Sequence, residues 1–187
     1  METKSLVWNR SAAWMAAAKL ALALAAALAI TNMGLPQYLT GPLVNALLLL
    51  TLEWCGLSQA IVVGMVTPMG AALRGILPLP LWVMIPFIAV GNAAFVSVFR
   101  LLRGRSRIAA LVAAAVVKFA WLYAAVGVLV AWPLRVAVGG EVATVAIPQA
   151  LANMMRWPQL GTALAGGVIA FGVQALVGLS QRRRGRS

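Results

Sequence analysis

The sequence has no histidine and no aspartate, and its side-chain carboxylates are only Glu2, Glu53 and Glu141. It has a single cysteine, Cys55. These absences remove whole reaction classes. A Ser-His-Asp or Cys-His hydrolase needs an imidazole base. A structural zinc site needs a set of Cys and His ligands. Phosphoryl transfer on aspartate-bound magnesium has no ligands to draw on. No GxxxxGK[ST] loop is present to cradle a nucleotide. One cysteine allows no internal disulfide. The chain is therefore expected to be no enzyme, with no catalytic residues, no metal site and no cofactor of its own.

Charge is scarce as well. Only 10% of the 187 residues are charged, 63% are hydrophobic, and mean hydropathy is +0.96. A soluble domain is about 25% charged and about 45–50% apolar. A fold of this length cannot hide so much apolar surface from water. The reading is an integral membrane protein. The net charge of +12 suits basic clusters that orient spans, and headgroup contact by QRRRGRS, rather than nucleic acid.

A span needs about 20 apolar residues to cross ~30 Å of hydrocarbon. The apolar runs are 11–31, 43–55, 57–73, 81–102, 108–132 and 157–179. NMGLPQYLTGP, RGILPLP and RGRSR read as loops, from their glycines, prolines and charges. PLRVAVGGEVATVAIPQALANMMR is a long mixed connection with room for a short surface helix. Pro86 is expected to bend the fourth span. Lys4 and Arg10 precede the first span, Arg100, Arg103, Arg105 and Arg107 separate the fourth from the fifth, and residues 180–187 form a basic tail. All three clusters fall on one side only if 43–73 folds back on itself, as two short spans or a re-entrant hairpin. The expected fold is an all-α bundle of six transmembrane helices forming one domain, with both termini cytoplasmic.

Polar residues inside spans are costly and tend to be paired or functional. Lys19 and Glu53 lie near the cytoplasmic side, where pairing or snorkelling explains them. Asn92 lies near the bilayer centre and suits interhelical glue or a ligand contact. Lys118 is too deep to snorkel easily, so it pairs with a neighbour or lines a wet cavity. A second polar group collects outside. Asn32, Gln37, Tyr38 and Thr40 belong to the first loop and Arg74 to the second. Arg156 and Gln159 belong to the third connection and the start of the last span. Trp82, Trp132 and Trp157 flank the same side, as an aromatic belt or as walls of a pocket.

These features resemble the substrate-binding (S) components of energy-coupling factor transporters. The resemblance rests on size, six spans, the alanine-rich AAWMAAAKLALALAAAL, the TGP start of the second helix, the block GMVTPMGAALRGILPLPLWVMIPFIAVGN and the late AGGVIAF. It covers roughly residues 10 to 180. It implies a multi-pass protein of a bacterial or archaeal cell membrane that captures a vitamin or similar micronutrient from outside. Such a chain docks on a transmembrane coupling subunit driven by two cytoplasmic ATPases, so ATP is hydrolysed by partners. The implied docking motif falls on Ala13 and Ala17, or on Ala12 and Ala16. Asn92 becomes the pocket floor with Trp121 beside it, and Arg74 part of the rim. A stand-alone permease driven by a gradient, or a membrane scaffold subunit, are the other readings the residues allow.

Overall fold

The computed structural model describes residues 2–73, 79–138 and 141–184. Among the described residues seven α-helices run in order: α1 (Glu2–Asn32), α2 (Gln37–Trp54), α3 (Leu57–Leu73), α4 (Ile85–Leu102), α5 (Arg107–Ala131), α6 (Gln149–Met154) and α7 (Trp157–Arg184). A 3₁₀ turn, Leu79–Met84, leads into α4. Four helical stretches are long and apolar enough to cross a membrane: Ala12–Asn32, Pro80–Leu102, Arg107–Ala131 and Gln149–Leu179. The chain is a helical membrane protein.

Helix α3 and helix α5 lie where the apolar runs put them. The first loop is shorter than expected, because α2 begins at Gln37 and absorbs YLTGP. Pro36 takes the position ahead of the helix, where extended backbone is required. Pro42 lies inside α2, and Asn45 Nδ2 donates to Gly41 O at 2.9 Å. Pro86 does not bend a continuous span. It sits at the start of α4, where its fixed φ favours helix initiation. The fold is also not purely helical. The long connection forms an antiparallel hairpin, β1 (Leu134–Val138) with β2 (Glu141–Val145), before α6. Its β-branched and apolar residues repeat too closely for a helical stripe.

The chain turns sharply between α2 and α3. Gly56 has φ of +107°, a conformation that L side chains rarely adopt. Gly64 then packs on Leu48, each eight residues from Gly56, so the two helices run antiparallel. Elsewhere the pairings alternate. Asn92 of α4 meets Lys118 of α5, and Phe87 meets Trp121, which is again antiparallel. Thr162 lies against Gly41 and Gly166 against Asn45, so α2 and α7 run parallel. One end of the bundle carries Arg100, Arg103, Arg105 and Arg107. The other carries the hairpin, α6 and the exposed Trp82, Trp132 and Trp157.

Two apolar clusters fill the interior. Leu48, Leu49, Phe95, Phe99 and Leu111 pack in the basic half. Leu81, Met84, Leu122, Val126 and Met155 pack toward the hairpin. At the basic end Glu53 pairs with Arg103 at 2.5 Å and Arg107 at 3.4 Å. Arg107 also donates to Gln174 and lies over the Phe171 ring at 4.7 Å. Lys19 does not pair with Glu53; it donates to Trp54 O at 3.4 Å.

The α2–α7 crossing depends on a missing side chain. A Cβ at Gly166 would stand 2.6 Å from Asn45 Cβ, 2.7 Å from Pro42 O and 2.9 Å from Ala46 N. Two of those are backbone atoms, so the helices must separate. Gly166→Ala is expected to destabilise by about 1–3 kcal/mol. Gly172, with nothing within 4 Å of its added Cβ, serves as the control. Its change to alanine should be neutral, or stabilising by up to about 1 kcal/mol. Unfolding of both variants in mixed micelles measures the difference.

Candidate functional site

Three helices deliver polar side chains to one depth. Asn45 of α2, Asn92 of α4 and Lys118 of α5 are 2%, 2% and 3% exposed. On α5, Lys118 lies between Ala115 of the basic-half cluster and Leu122 of the other. On α4, Asn92 lies between Ile88, packed against the hairpin-side cluster, and Phe95 of the basic-half cluster. The three therefore form a polar layer between two apolar ones.

The hydrogen bonds are directional. Lys118 Nζ donates to Asn45 Oδ1 at 2.6 Å and to Asn92 Oδ1 at 2.8 Å. Each amide is held with its oxygen toward the ammonium because its NH₂ is engaged elsewhere. Asn92 Nδ2 donates to Gly64 O at 2.8 Å and to Thr67 Oγ1 at 3.3 Å. Asn45 Nδ2 donates to Gly41 O. The Phe95 ring lies 5.5 Å from Lys118 Nζ, near enough for a cation–π contribution. Among the described residues no carboxylate pairs with Lys118, and Glu53 is engaged at the basic end.

A cavity of about 70 Å³ opens above this layer, toward the hairpin end. Its walls include Thr31, Gln37, Thr40, Val44, Thr67, Pro68, Ala71, Ile88, Met155 and Gln159, and its floor is Asn45, Asn92 and Lys118. Such a volume holds on the order of two to five waters. Apolar walls with a few convergent polar groups are the usual composition of a small-molecule site. Below the floor the bundle is filled by Leu48, Leu49, Phe95 and Phe99, all 0% exposed.

Of the polar and aromatic residues named from the sequence, Asn92, Lys118, Gln37, Thr40 and Gln159 line this cavity. The others that are described stand elsewhere. Asn32 caps its own helix, donating to Leu28 O at 2.6 Å. Tyr38 is 69% exposed, because α2 turns it outward. Trp121 donates its indole N–H to Phe87 O at 2.8 Å and is otherwise outward-facing. Trp157 stacks on Phe119 at 4.9 Å, and Arg156 covers the Tyr123 ring at 5.1 Å. Trp82 lies on the exposed side of the 3₁₀ turn. Arg74 lies outside the described residues. Ala12, Ala13, Ala16 and Ala17 are all exposed on α1, where no other part of the described chain covers them.

Asn45, Thr31 and Thr67 are site residues that the sequence pattern did not single out, and Lys118 was left between two roles. A depth count finds part of the layer: Asn92 is twelve residues past Pro80, and Lys118 thirteen before Ala131. No family model, curated protein or solved structure matches the chain.

The layer makes a testable energetic statement. Asn92→Leu removes one acceptor from a buried ammonium and is expected to cost about 1.5–3 kcal/mol. In a Lys118→Met background the same change should cost at least about 1 kcal/mol less, since the charge it served is gone. A double-mutant cycle on unfolding free energy measures this coupling.

Proposed function

We propose that the chain is the substrate-binding component of an energy-coupling factor importer. The observation that carries this reading is the polar cavity, open toward the hairpin end and closed beneath by a packed apolar layer. That is the form of a cup and not of a conduit. A small solute entering it meets side chains that hold, and none that do chemistry. The absence of histidine and aspartate from the sequence supports a binding role, with the driving force supplied by partners.

The alternating helix directions support a reading of six spans. Helix α2 is about 27 Å long and α3 about 26 Å at 1.5 Å per residue, close to the hydrocarbon thickness. With α1, α4, α5 and α7 they give six alternating passes. Arginine-rich ends face the cytoplasm, so the cup opens outward and both termini lie inside. The tryptophans at the hairpin end sit at the outer interface, as an aromatic belt does. The exposed alanines of α1 offer a flat face to a membrane-embedded coupling subunit, which works with two cytoplasmic ATPases. A vitamin-sized cargo exceeds the cavity as it stands, so capture involves opening at the rim.

Two measurements test the reading. In a Cys55→Ser background, an impermeant maleimide added to intact cells should label Gln149→Cys and leave Ser106→Cys unlabelled until the cells are permeabilised. Cells expressing the chain with a coupling subunit and its ATPases should accumulate a cargo, identified by mass spectrometry of what the purified chain retains. The purified chain alone in liposomes should accumulate none. Uptake by the chain alone marks a gradient-driven permease instead. Absence of any retained small molecule or uptake marks a scaffold.

A further inference from the structure

Among the described residues, the cation at the floor of the cavity has no anion beside it. Lys118 is 3% exposed, and its ammonium carries three N–H donors. Two are taken by amide oxygens at 2.6 and 2.8 Å. Burial of an ammonium is offset well only when an opposite charge is near, and amide oxygens carry partial charges alone. Among the described residues the chain gives Lys118 no ion pair, since Glu53 is engaged by Arg103 and Arg107.

The walls add a second constraint. Thr31 Oγ1 donates to Ala27 O and Leu28 O, each at 3.1 Å, and Thr40 Oγ1 donates to Leu35 O at 2.9 Å. Gln159 Nε2 donates to Met154 O at 3.2 Å. The threonine hydroxyls have committed their protons to backbone carbonyls, and the Gln159 NH₂ faces Met154 O and Met155 Sδ. What they keep for an occupant is oxygen lone pairs. The floor therefore attracts negative charge, and Thr31, Thr40 and Gln159 offer an occupant acceptors, with the Gln37 amide beside them able to accept or donate.

We propose that the cavity takes the anionic end of a small organic acid, a carboxylate on Lys118 with a hydroxyl or amino donor beside it facing the wall oxygens. This deepens the capture reading above and rests on the cavity being the capture site. It names the chemical class of cargo: an acid bearing hydrogen-bond donors, with any remaining bulk directed toward the mouth.

Glycolate is the probe, since it is among the smallest acids that carry a carboxylate with a hydroxyl donor beside it. Purified full-length protein is heated with sodium glycolate, with neutral glycolamide, or with sodium chloride at equal ionic strength. Glycolate should raise the unfolding midpoint by about 3 °C or more at saturation, and the other two should not. Lys118→Met should lose the response. Should that variant not fold, Asn92→Asp serves the same purpose, because it supplies a resident carboxylate to Lys118. It should raise the midpoint of the unliganded protein and also abolish the glycolate response. An equal response to glycolamide overturns the proposal, as does no response to glycolate, or a response surviving in either variant. Acid binding without partner-driven uptake removes the importer reading and leaves this one. Uptake without acid binding does the reverse.

Discussion

A lysine ammonium held in the middle of the bundle, with neutral amides for company, is the constraint on which the rest of the structure turns. A charge at that depth is costly unless its hydrogen bonds are made. Asn45 and Asn92 make them, and each can do so only with its NH₂ engaged on a backbone carbonyl of α2 or α3. Four helices are thereby tied to one point. A slide of one residue moves a side chain about 1.5 Å along its axis and rotates it about 100°. Either change breaks bonds of 2.6 to 2.8 Å. Apolar side chains of similar volume tolerate such shifts far better, so the polar layer fixes the register that the apolar clusters leave loose.

The packing around the layer explains why this cavity stands on its hairpin side. Toward the basic end the bundle is filled by leucine and phenylalanine side chains. Toward the hairpin the facing residues are shorter or already turned to the backbone: Thr31, Thr40, Thr67 and Pro68. They leave space at the mouth. At the basic end Glu53 is consumed in joining the α2–α3 turn to the α4–α5 loop, through Arg103 and Arg107. A chain with so few carboxylates thus uses the one at that turn as a clamp, and the lysine in the middle goes without.

Much of the helical plan was legible, because apolar runs of span length are rare outside membrane-crossing helices. Helices α3 and α5 carry no strong breakers at their ends beyond those the runs already showed. Helix α2 was misjudged at its start because glycine and proline read as a loop in water-facing sequence. In this bundle Gly41 admits Thr162, and Pro42 is accommodated inside the helix. The hairpin was missed although VAVGGEVATV has the glycine pair between β-forming runs that marks one. The site was partly legible. A lone asparagine in an apolar span announces itself, as Asn92 did. Asn45 lies near a polar loop and so looked ordinary. The tryptophans and Tyr38 drew notice for their size, but their rings serve the outer surface, where an amphipathic ring is best placed.

Among the described residues helix α1 is packed into the bundle only along its second half. Its buried positions begin at Ala23, while Ala12 to Lys19 are exposed. Alanine has almost no side-chain freedom to lose and little surface to bury. A face of alanines therefore gains little from lipid and loses little on leaving it. In a bilayer, helix association is driven by close backbone approach more than by apolar burial, and small residues permit that approach. A helix of this kind can exchange lipid for another helix at small cost in either direction. Such a face would suit a contact made and broken repeatedly better than one made once, while the polar layer keys α2, α3, α4 and α5 to one another.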